Sequence, residues 1–502
     1  MKLYKNIIFF GFIIIQNSFA MTAQTSFGVF DNSSDIGKVK TKGSCLYDED
    51  SEKYSLKGSG KNMWLNDDEF FFVWKKMKTD FILYSWLEWI GSGVEPHRKA
   101  GLIIRESFEP GARYVSIANH GDGLISMQYR QEKDSTTKEI QFNSKSFSIL
   151  QLEKTGNFVF SKVAKPGDPL QKVGELEMQF DTGGFYVGLF VCAHNPEVVE
   201  ETEFTNTRLT VPAKKDFVPY KDYIGSRLEI LDVETGLRKI IYRSEIPFEA
   251  PNWTKDGNYL IFNSKGLIYR IPVEGGNPEL INTDFANANN NDHGISPDGK
   301  NIAISHHAKD RTVGENSVIY TLPINGGIPK LLTDKSPSYW HGWSPDGKNL
   351  IYTAKRNNQW DIYRIPVTGG EETQLTNNPF LDDGSEYSTD GNLIWFNSNR
   401  SGTMQIWRMK ADGSDQAQIT FDEYQNWFAH QSPDGKNIIY LSYPPEVNSW
   451  DHPYYKHIML RIMNSTDFKP KVIAHLYGGQ GTINVPSWSP DSKKVAFVSN
   501  SE

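Results

Sequence analysis

Side chains that could bind a metal ion or transfer protons are concentrated in the second half of this sequence. Seven of its 11 histidines are expected on one face of the repeated architecture described below: His293, His306, His307, His341, His430, His452 and His457. Imidazole binds divalent transition metals, and in its neutral form it accepts a proton near neutral pH. We therefore expect a functional cluster in which His293, His341 and His430 hold a metal such as Mn or Zn. A purely structural role, with each imidazole bonded to a neighbouring strand, stays open.

Acidic, aromatic and cationic residues recur beside these histidines. The expected ligand-binding residues are Trp340, Glu386, Trp427 and Asn484, and Glu386 could also supply an oxygen ligand to the metal. Tryptophan rings can stack on sugars, although aromatic residues that pack between strands are equally common. The expected catalytic residues are His307, Arg311, Arg356 and His452, in which an arginine would stabilise a carboxylate or an enolate beside a histidine base.

A sequence repeat predicts the structural elements that must position these residues. The sequence Trp-Ser-Pro-Asp-Gly at 343–347 is one of six related copies, whose aspartates are Asp256, Asp298, Asp346, Asp390, Asp434 and Asp491. The steps between these aspartates are 42, 48, 44, 44 and 57 residues. Proline and glycine favour a tight turn, and the apolar runs that follow each copy are typical of short strands. Four short strands per copy predict a six-bladed β-propeller over residues 222–502, closed by pairing 226–242 with the C-terminal strands.

This architecture predicts where the candidate residues meet. The innermost strand of each blade precedes the turn, so its first residues line the opposite mouth of the central channel. The loop between the second and third strands of a blade emerges at that same mouth. The histidines, arginines and tryptophans named above are therefore expected to share one face, although the sequence scatters them.

The first half of the chain follows a different pattern. Alternating apolar strands without a 42-residue period predict a β-sandwich over residues 29–212, giving an all-β chain of two domains. Cys45 and Cys192 fall near the first and last strands of this half. Both a disulfide between them and two buried free thiols are consistent with the sequence.

Composition and termini restrict the location and the partners. Residues 1–20 carry two lysines, an apolar run and a small-residue end, which predicts a secretory signal peptide and a periplasmic or secreted mature protein. No later segment is long and apolar enough to be a membrane span. The net charge of −8, with no basic stripe, argues against nucleic acid as a partner. No Gly-x-Ser-x-Gly elbow and no glycine-rich phosphate loop precedes a helix.

Two resemblances follow from these motifs. The Ser-Pro-Asp-Gly blades resemble the TolB-type six-bladed propellers over about 280 residues, and in that family propellers serve as platforms for protein interaction. The segments Asp68-Glu69-Phe70, 98–107 and His120-Gly121-Asp122-Gly123 resemble concanavalin-like sandwich domains, which often bind carbohydrate. Together they imply an exported recognition protein that binds a glycan or a periplasmic protein through the mouth of the propeller, linked to polysaccharide use.

A third resemblance implies an enzyme instead. Histidines at 293, 341 and 430, before the turns, are similar to the pattern in oligogalacturonate lyases, which are propellers that use metal-bound histidines for β-elimination on uronates. By this resemblance the metal would acidify the proton α to the substrate carboxylate. Arg311 or Arg356 would hold the carboxylate, and His307 or His452 would take the proton.

Overall fold

The computed structural model describes residues 26–219 and 221–502. The expected signal peptide at 1–20 lies outside these residues. The regular structure in the described part is β-strand throughout, and no helix there could cross a membrane.

The first unit is built from fourteen strands. They are β1 (Asn32–Ile36), β2 (Ser44–Asp48), β3 (Lys53–Gly58), β4 (Phe70–Met77), β5 (Phe81–Ile90), β6 (Lys99–Arg105), β7 (Tyr114–His120), β8 (Ile125–Arg130), β9 (Lys138–Gln141), β10 (Ile149–Thr155), β11 (Phe158–Ala164), β12 (Gln171–Glu177), β13 (Phe185–Cys192) and β14 (Glu200–Thr210). One seven-stranded sheet has the order β1-β4-β13-β6-β7-β8-β9, and the other has the order β12-β11-β10-β5-β14-β3-β2. All the neighbouring strands run antiparallel.

Strand alternation explains the core of this unit. Leu102 and Ile104 of β6 face Leu83 and Leu152 of the other sheet in one shared hydrophobic core. The intervening Ile103 faces the outer side of its sheet, in a second cluster. Two faces of one strand therefore enter two different apolar clusters, as a period of two requires.

The two cysteines are free thiols. Cys192 packs in the outer cluster of the first sheet, whereas Cys45 packs against the shared core from the second sheet. Their side chains lie on different sides of a layer, so the disulfide that the sequence left open is not formed.

The second unit contains the remaining strands in six blades of the described chain. They are β15 (Gly225–Asp232), β16 (Arg238–Ser244), β17 (Glu249–Trp253), β18 (Tyr259–Ser264), β19 (Leu267–Pro272), β20 (Glu279–Ile281), β21 (Asn289–Ile295), β22 (Asn301–His307), β23 (Ser317–Pro323), β24 (Lys330–Leu331), β25 (Ser338–Trp343), β26 (Asn349–Arg356), β27 (Gln359–Pro366), β28 (Thr373–Gln374), β29 (Asp382–Tyr387), β30 (Leu393–Ser398), β31 (Gln405–Lys410), β32 (Ala417–Gln418), β33 (Gln425–Gln431), β34 (Asn437–Tyr443), β35 (Lys456–Asn464), β36 (Lys471–Gly478) and β37 (Lys494–Ser501).

The predicted closure of the propeller is confirmed. Five blades are four-stranded sheets of consecutive strands, and the sixth has the order β16-β15-β37. Gly225 pairs with Ser501 and Asp232 with Lys494, while Trp488 adds a bridge to Val495 at the inner side. The first and last segments of the propeller thus complete one blade.

The repeated turns use the same hydrogen bond in every copy. A serine or threonine hydroxyl donates to the aspartate two residues later at 2.6 Å in all six turns, at Thr254, Ser296, Ser344, Ser388, Ser432 and Ser489. The same aspartate oxygen accepts a backbone N–H two residues further on, as in Lys348 to Asp346 at 3.0 Å. This local chemistry is why the motif marks each blade.

A buried charge cluster joins the two units. Arg208 of β14 donates to Glu229 of β15 at 3.0 Å, and Arg238 donates to the same carboxylate at 2.8 Å. Burial alone would raise the pKa of Glu229, but the two arginines outweigh burial and lower it below its usual range. The backbone N–H of Arg238 also donates to Asn206 of the first unit at 2.8 Å.

Candidate functional site

The inner strand of each of the five four-stranded blades is irregular close to its start. The pairing register with the second strand shifts between Glu249 and Asn252, Asn289 and His293, Trp340 and Gly342, Asp383 and Glu386, and Trp427 and His430. Such a β-bulge turns the following side chains to a new direction. Ala250, Gly384 and Phe428 have φ of 57°, 58° and 57°, and each is six residues before the aspartate of its repeat. The bulges therefore decide which residues face the channel.

The starts of the inner strands surround a cavity of about 930 Å³ at one mouth of the propeller. Its carboxylates are Glu245, Glu249, Asp292 and Asp383, and its histidines are His307, His341 and His452. Its aromatic rings are Tyr223, Tyr339, Trp360, Phe428, Trp450 and Tyr454. Amides complete the wall, with Asn263, Asn289, Asn290, Asn291, Gln480 and Asn484, and Lys265 is its lysine. This volume is within the range of cavities that bind small ligands.

An ion pair lies in the cavity wall. His341 Nε2 is 2.9 Å from Asp383 Oδ1, and Thr353 donates to the same oxygen at 2.7 Å. Burial raises the pKa of Asp383, but the hydrogen bond and charge of His341 outweigh burial and lower it to about 2. Burial lowers the pKa of His341, but Asp383 outweighs it and raises the pKa above its usual value. Each member of the pair therefore favours the charged form of the other, and His452 Nε2 lies 4.0 Å from Asp383 Oδ2.

Two other carboxylates of the wall have raised pKa values, in contrast to the lowered pKa of Asp383. Glu249 accepts a hydrogen bond from Tyr454 at 3.1 Å, and Asp292 accepts one from Asn290 at 2.9 Å. Burial raises the pKa of Glu249 to about 7 and that of Asp292 to about 6. The described residues give neither carboxylate an ion pair with a lysine or an arginine within 4.0 Å. The cavity therefore contains acids that change charge near neutral pH.

Comparisons with known proteins identify the propeller. The model of the TolB β-propeller domain matches residues 314–449. The uncharacterized protein Atu1656 of Agrobacterium fabrum is 44% identical over 274 residues, which cover 54% of this chain and 92% of that protein. The chain belongs to the TolB-type β-propeller family.

Solved structures agree with this assignment. A structure from Agrobacterium tumefaciens, provisionally named TolB, is similar at 43% identity and a TM-score of 0.53, covering 56% of this chain and 100% of that one. An oligogalacturonate lyase in complex with manganese is similar at only 12% identity and a TM-score of 0.35, covering 52% and 75%. A likeness at that level carries no argument about the activity of the TolB-type propeller described here.

The TolB-type propeller does not bring the three expected metal ligands together. His293 is buried, its Nε2 lies 3.5 Å from the carbonyl of Ile261, and burial lowers its pKa to about 4. His430 Nδ1 is bonded to Glu386, and its Nε2 lies 2.6 Å from the carbonyl oxygen of Ile483. Within residues 26–219 and 221–502 no group of three or more His, Cys, Asp or Glu side chains is arranged to hold a metal ion. The donor set does not fit Mn or Zn.

The expected catalytic residues separate into two groups. His307 and His452 line the cavity, as expected from their positions in the loops. Arg356 instead binds Glu372 through two nitrogens, at 3.0 and 2.9 Å. Arg311 donates to the carbonyl of Asp334 at 2.6 Å and does not line the cavity. The arginine clamp expected for a carboxylate is therefore absent from this wall.

The expected ligand-binding residues also separate. Asn484 lines the cavity, and its Oδ1 accepts a hydrogen bond from the backbone of Gly481 at 2.8 Å. Trp340 and Trp427 are fully buried packing residues, and Glu386 is the partner of His430. Only one of the four expected residues therefore reaches the cavity.

Several residues of the wall were missed by sequence reasoning, above all Glu249, Tyr223 and Tyr454. One signal could have found Glu249. The residues seven positions before the repeat aspartates are Glu249, Asn291, Tyr339, Asp383, Trp427 and Asn484, and all of them except Trp427 line the cavity. No repeat signal marks the two tyrosines, which come from the linker and from the long loop between β34 and β35.

Proposed function

We propose that this TolB-type protein is an exported recognition protein that binds a segment of a partner protein in the cavity at the propeller mouth. The observation that carries this proposal is the cavity itself, about 930 Å³ in volume, with mixed charged, amide and aromatic walls. Its wall comes from bulged inner strands, which fix side chains on a rigid scaffold. The family resemblance to propellers that bind proteins supports the same conclusion.

A glycan is the second candidate ligand. Trp360 and Trp450 line the cavity beside several amides, and aromatic rings with amides suit sugar faces and hydroxyls. The resemblance of the first unit to concanavalin-like domains supports this alternative. It would make the protein part of polysaccharide use.

The uronate lyase is less well supported by the geometry. The two arginines expected to hold the uronate carboxylate, Arg311 and Arg356, are engaged elsewhere. The cavity instead carries four carboxylates, which repel an anionic sugar. No step of an elimination through a metal follows from these residues.

Site-specific cross-linking tests the proposal. A photoreactive phenylalanine analogue at Trp450, which is exposed at the cavity, should form an adduct with a polypeptide in cells that carry the protein natively. The matched control is the same analogue at Ile328, an exposed residue in the turn between β23 and β24 at the opposite face. Equal adducts from both positions, or a saccharide adduct from Trp450 alone, would contradict protein recognition at the mouth.

A further inference from the structure

Two carboxylates of the mouth cavity form no ion pair within 4.0 Å among the described residues, and His341, whose charge acts on Asp292, is itself bonded to Asp383. Asp292 is 6% exposed, and Glu249 is only partly exposed. Their hydrogen bonds from Tyr454 and Asn290 are neutral, whereas Asp383 in the same wall has His341. A buried charge without an ionic partner costs free energy. A cationic ligand that pairs with such a carboxylate would therefore bind more tightly.

Rings that attract cations stand beside Glu249. Tyr223 and Tyr454 form an edge-to-face pair with centroids 5.7 Å apart at an interplanar angle of 83°. Both rings line the cavity, as do Trp360 and Trp450. The faces of such rings carry negative potential and favour an ammonium group within about 6 Å. Their edges and faces also suit an aliphatic stem.

A buried acceptor in the same wall has no hydrogen-bond partner. Asn289 is 4% exposed, and its Nδ2 donates to the carbonyls of Gly266 and Ala286. Its Oδ1 is buried and accepts no hydrogen bond from the described residues. Leaving such an acceptor unsatisfied costs free energy that a ligand donor would recover. This is a signal for an N–H donor, independent of the carboxylates.

We infer that the cavity holds the ammonium group of a lysine side chain of the partner, with Glu249 and Asp292 as its counter-ions. The inference rests on the proposed function and names the chemistry that the mouth recognises. An ammonium has three donors and no acceptor, which suits two carboxylates and an amide oxygen. Its four-carbon stem packs against aromatic rings, and the net charge of −8 favours a basic partner.

The charge state of the wall makes the binding depend on pH. Glu249 is faced by Tyr223, Tyr454 and Tyr455 and by Asp292. Asp292 is faced by His341 and Asp383, and Lys265 is the lysine of the wall. Because the pKa values of the two carboxyls are raised to about 7 and about 6, they are increasingly protonated below those values. An ammonium binds the ionised forms, so its affinity is expected to fall as the pH falls.

Calorimetry on the full mature chain tests this inference. The probes are the blocked pentapeptide Gly-Gly-Lys-Gly-Gly and the same peptide with Nε-acetyllysine. We expect the free lysine peptide to bind at pH 8 at least about tenfold more tightly than the acetylated one, and more than about tenfold more weakly at pH 5 than at pH 8. Glu249→Gln and Asp292→Asn should each weaken binding at pH 8 about tenfold and reduce the pH dependence. Glu279→Gln, an exposed carboxylate on the outer strand β20, is the matched control that should change nothing.

The stability expected of Glu249→Gln excludes unfolding as the cause of lost binding. A carboxyl whose pKa is raised from 4.5 to about 7 binds more protons in the folded state, so its ionisation costs stability as pH rises through that interval. Glu249→Gln should therefore be at least as stable as the wild type at pH 8, and lost binding will not reflect unfolding.

Three results would overturn the inference. They are equal affinity for the acetylated peptide, unchanged affinity in both carboxylate variants, and no binding of the lysine peptide at concentrations of about 10 mM. Binding of N-acetylglucosamine oligosaccharides in place of the peptide would assign the cavity to a neutral glycan. A protein adduct from Trp450 with no lysine dependence would leave the proposed function standing while removing the inference.

Discussion

The ion pair between His341 and Asp383 gives the sharpest test of the electrostatics of the mouth. Asp383→Asn removes the charge while keeping the size of the side chain. In the wild type, Asp383 outweighs the effect of burial on His341 and raises the pKa of that imidazole. In the variant burial remains, together with the charges of Asp292 and Glu386, whose effects on His341 are smaller than that of burial. We therefore expect the pKa of His341 to move from above its usual value of 6.5 to below it.

The expected loss of stability follows from the same pair. The pKa of Asp383 falls from 3.8 to about 2, which corresponds to about 2 kcal/mol of folding free energy. A lowered carboxyl pKa gives stability that is present above 3.8 and lost as pH falls toward 2. A raised histidine pKa gives stability that is present below 6.5 and lost as pH rises through the folded value. The loss of folding stability in the Asp383→Asn variant should therefore be largest between about pH 4 and 6.5.

Two measurements check this reasoning. NMR titration of the imidazole signals reports the pKa of His341, and urea unfolding at pH 5.5 and pH 8.5 reports the free energy. Asp415→Asn is the control, because Asp415 is an exposed carboxylate on the outer edge of the same blade and its pair with Lys410 is solvated. A variant in which His341 titrates as in the wild type would refute the assigned pair. Equal destabilisation at the two pH values would refute the coupling.

Three further predictions concern the scaffold. Glu229→Gln leaves two buried arginines without their carboxylate and should cost about 3–5 kcal/mol in urea unfolding; a loss below 1 kcal/mol would contradict the buried cluster. Gly294→Ala would place a Cβ 1.8 Å from the ring of Trp340 and should cost about 1–3 kcal/mol in the same assay, whereas unchanged stability would show that the ring has room to move. Burial raises the pKa of Cys45 to about 12 and that of Cys192 to about 11, so neither should react with iodoacetamide at pH 8 before unfolding, and two thiols should react afterwards. A mass two hydrogens lower for the native chain would indicate a disulfide instead.

The propeller could be predicted from the sequence because its turn chemistry is local. The hydroxyl and the carboxylate of each turn, such as those of Ser344 and Asp346, are two residues apart in the sequence. The motif alone therefore predicts their hydrogen bond. The spacing of the copies then predicts the number of blades. The missing turn before Arg227 predicts that this segment pairs with the C-terminal strands to close the propeller. Each of these inferences needs only neighbouring residues and a count.

The residues that face the cavity could not be predicted in the same way. His293 and His341 both stand five residues before the aspartate of their repeat, yet His341 lines the cavity and His293 does not. His293 is paired with Ile304 after the irregularity in its strand, whereas His341 lies within the shift between Trp340 and Gly342, and a bulge changes the direction of a strand side chain. The repeat also does not mark the partner of Arg356, since Glu372 lies 16 residues later, in the loop before β28.

The repeat separates stability from recognition within each blade. At one face the same hydroxyl-to-carboxylate hydrogen bond closes all six turns at 2.6 Å. At the other face, seven residues earlier, five residue types occupy the six equivalent positions, at Glu249, Asn291, Tyr339, Asp383, Trp427 and Asn484. Because the turn bonds are local, a change at the mouth does not disturb them. A nearly symmetric scaffold can therefore carry an asymmetric wall. Two blades carry the acids Glu249 and Asp292, which have no ion pair among the described residues, and two others share the ion pair of His341 and Asp383. That asymmetry is what a single ligand orientation requires.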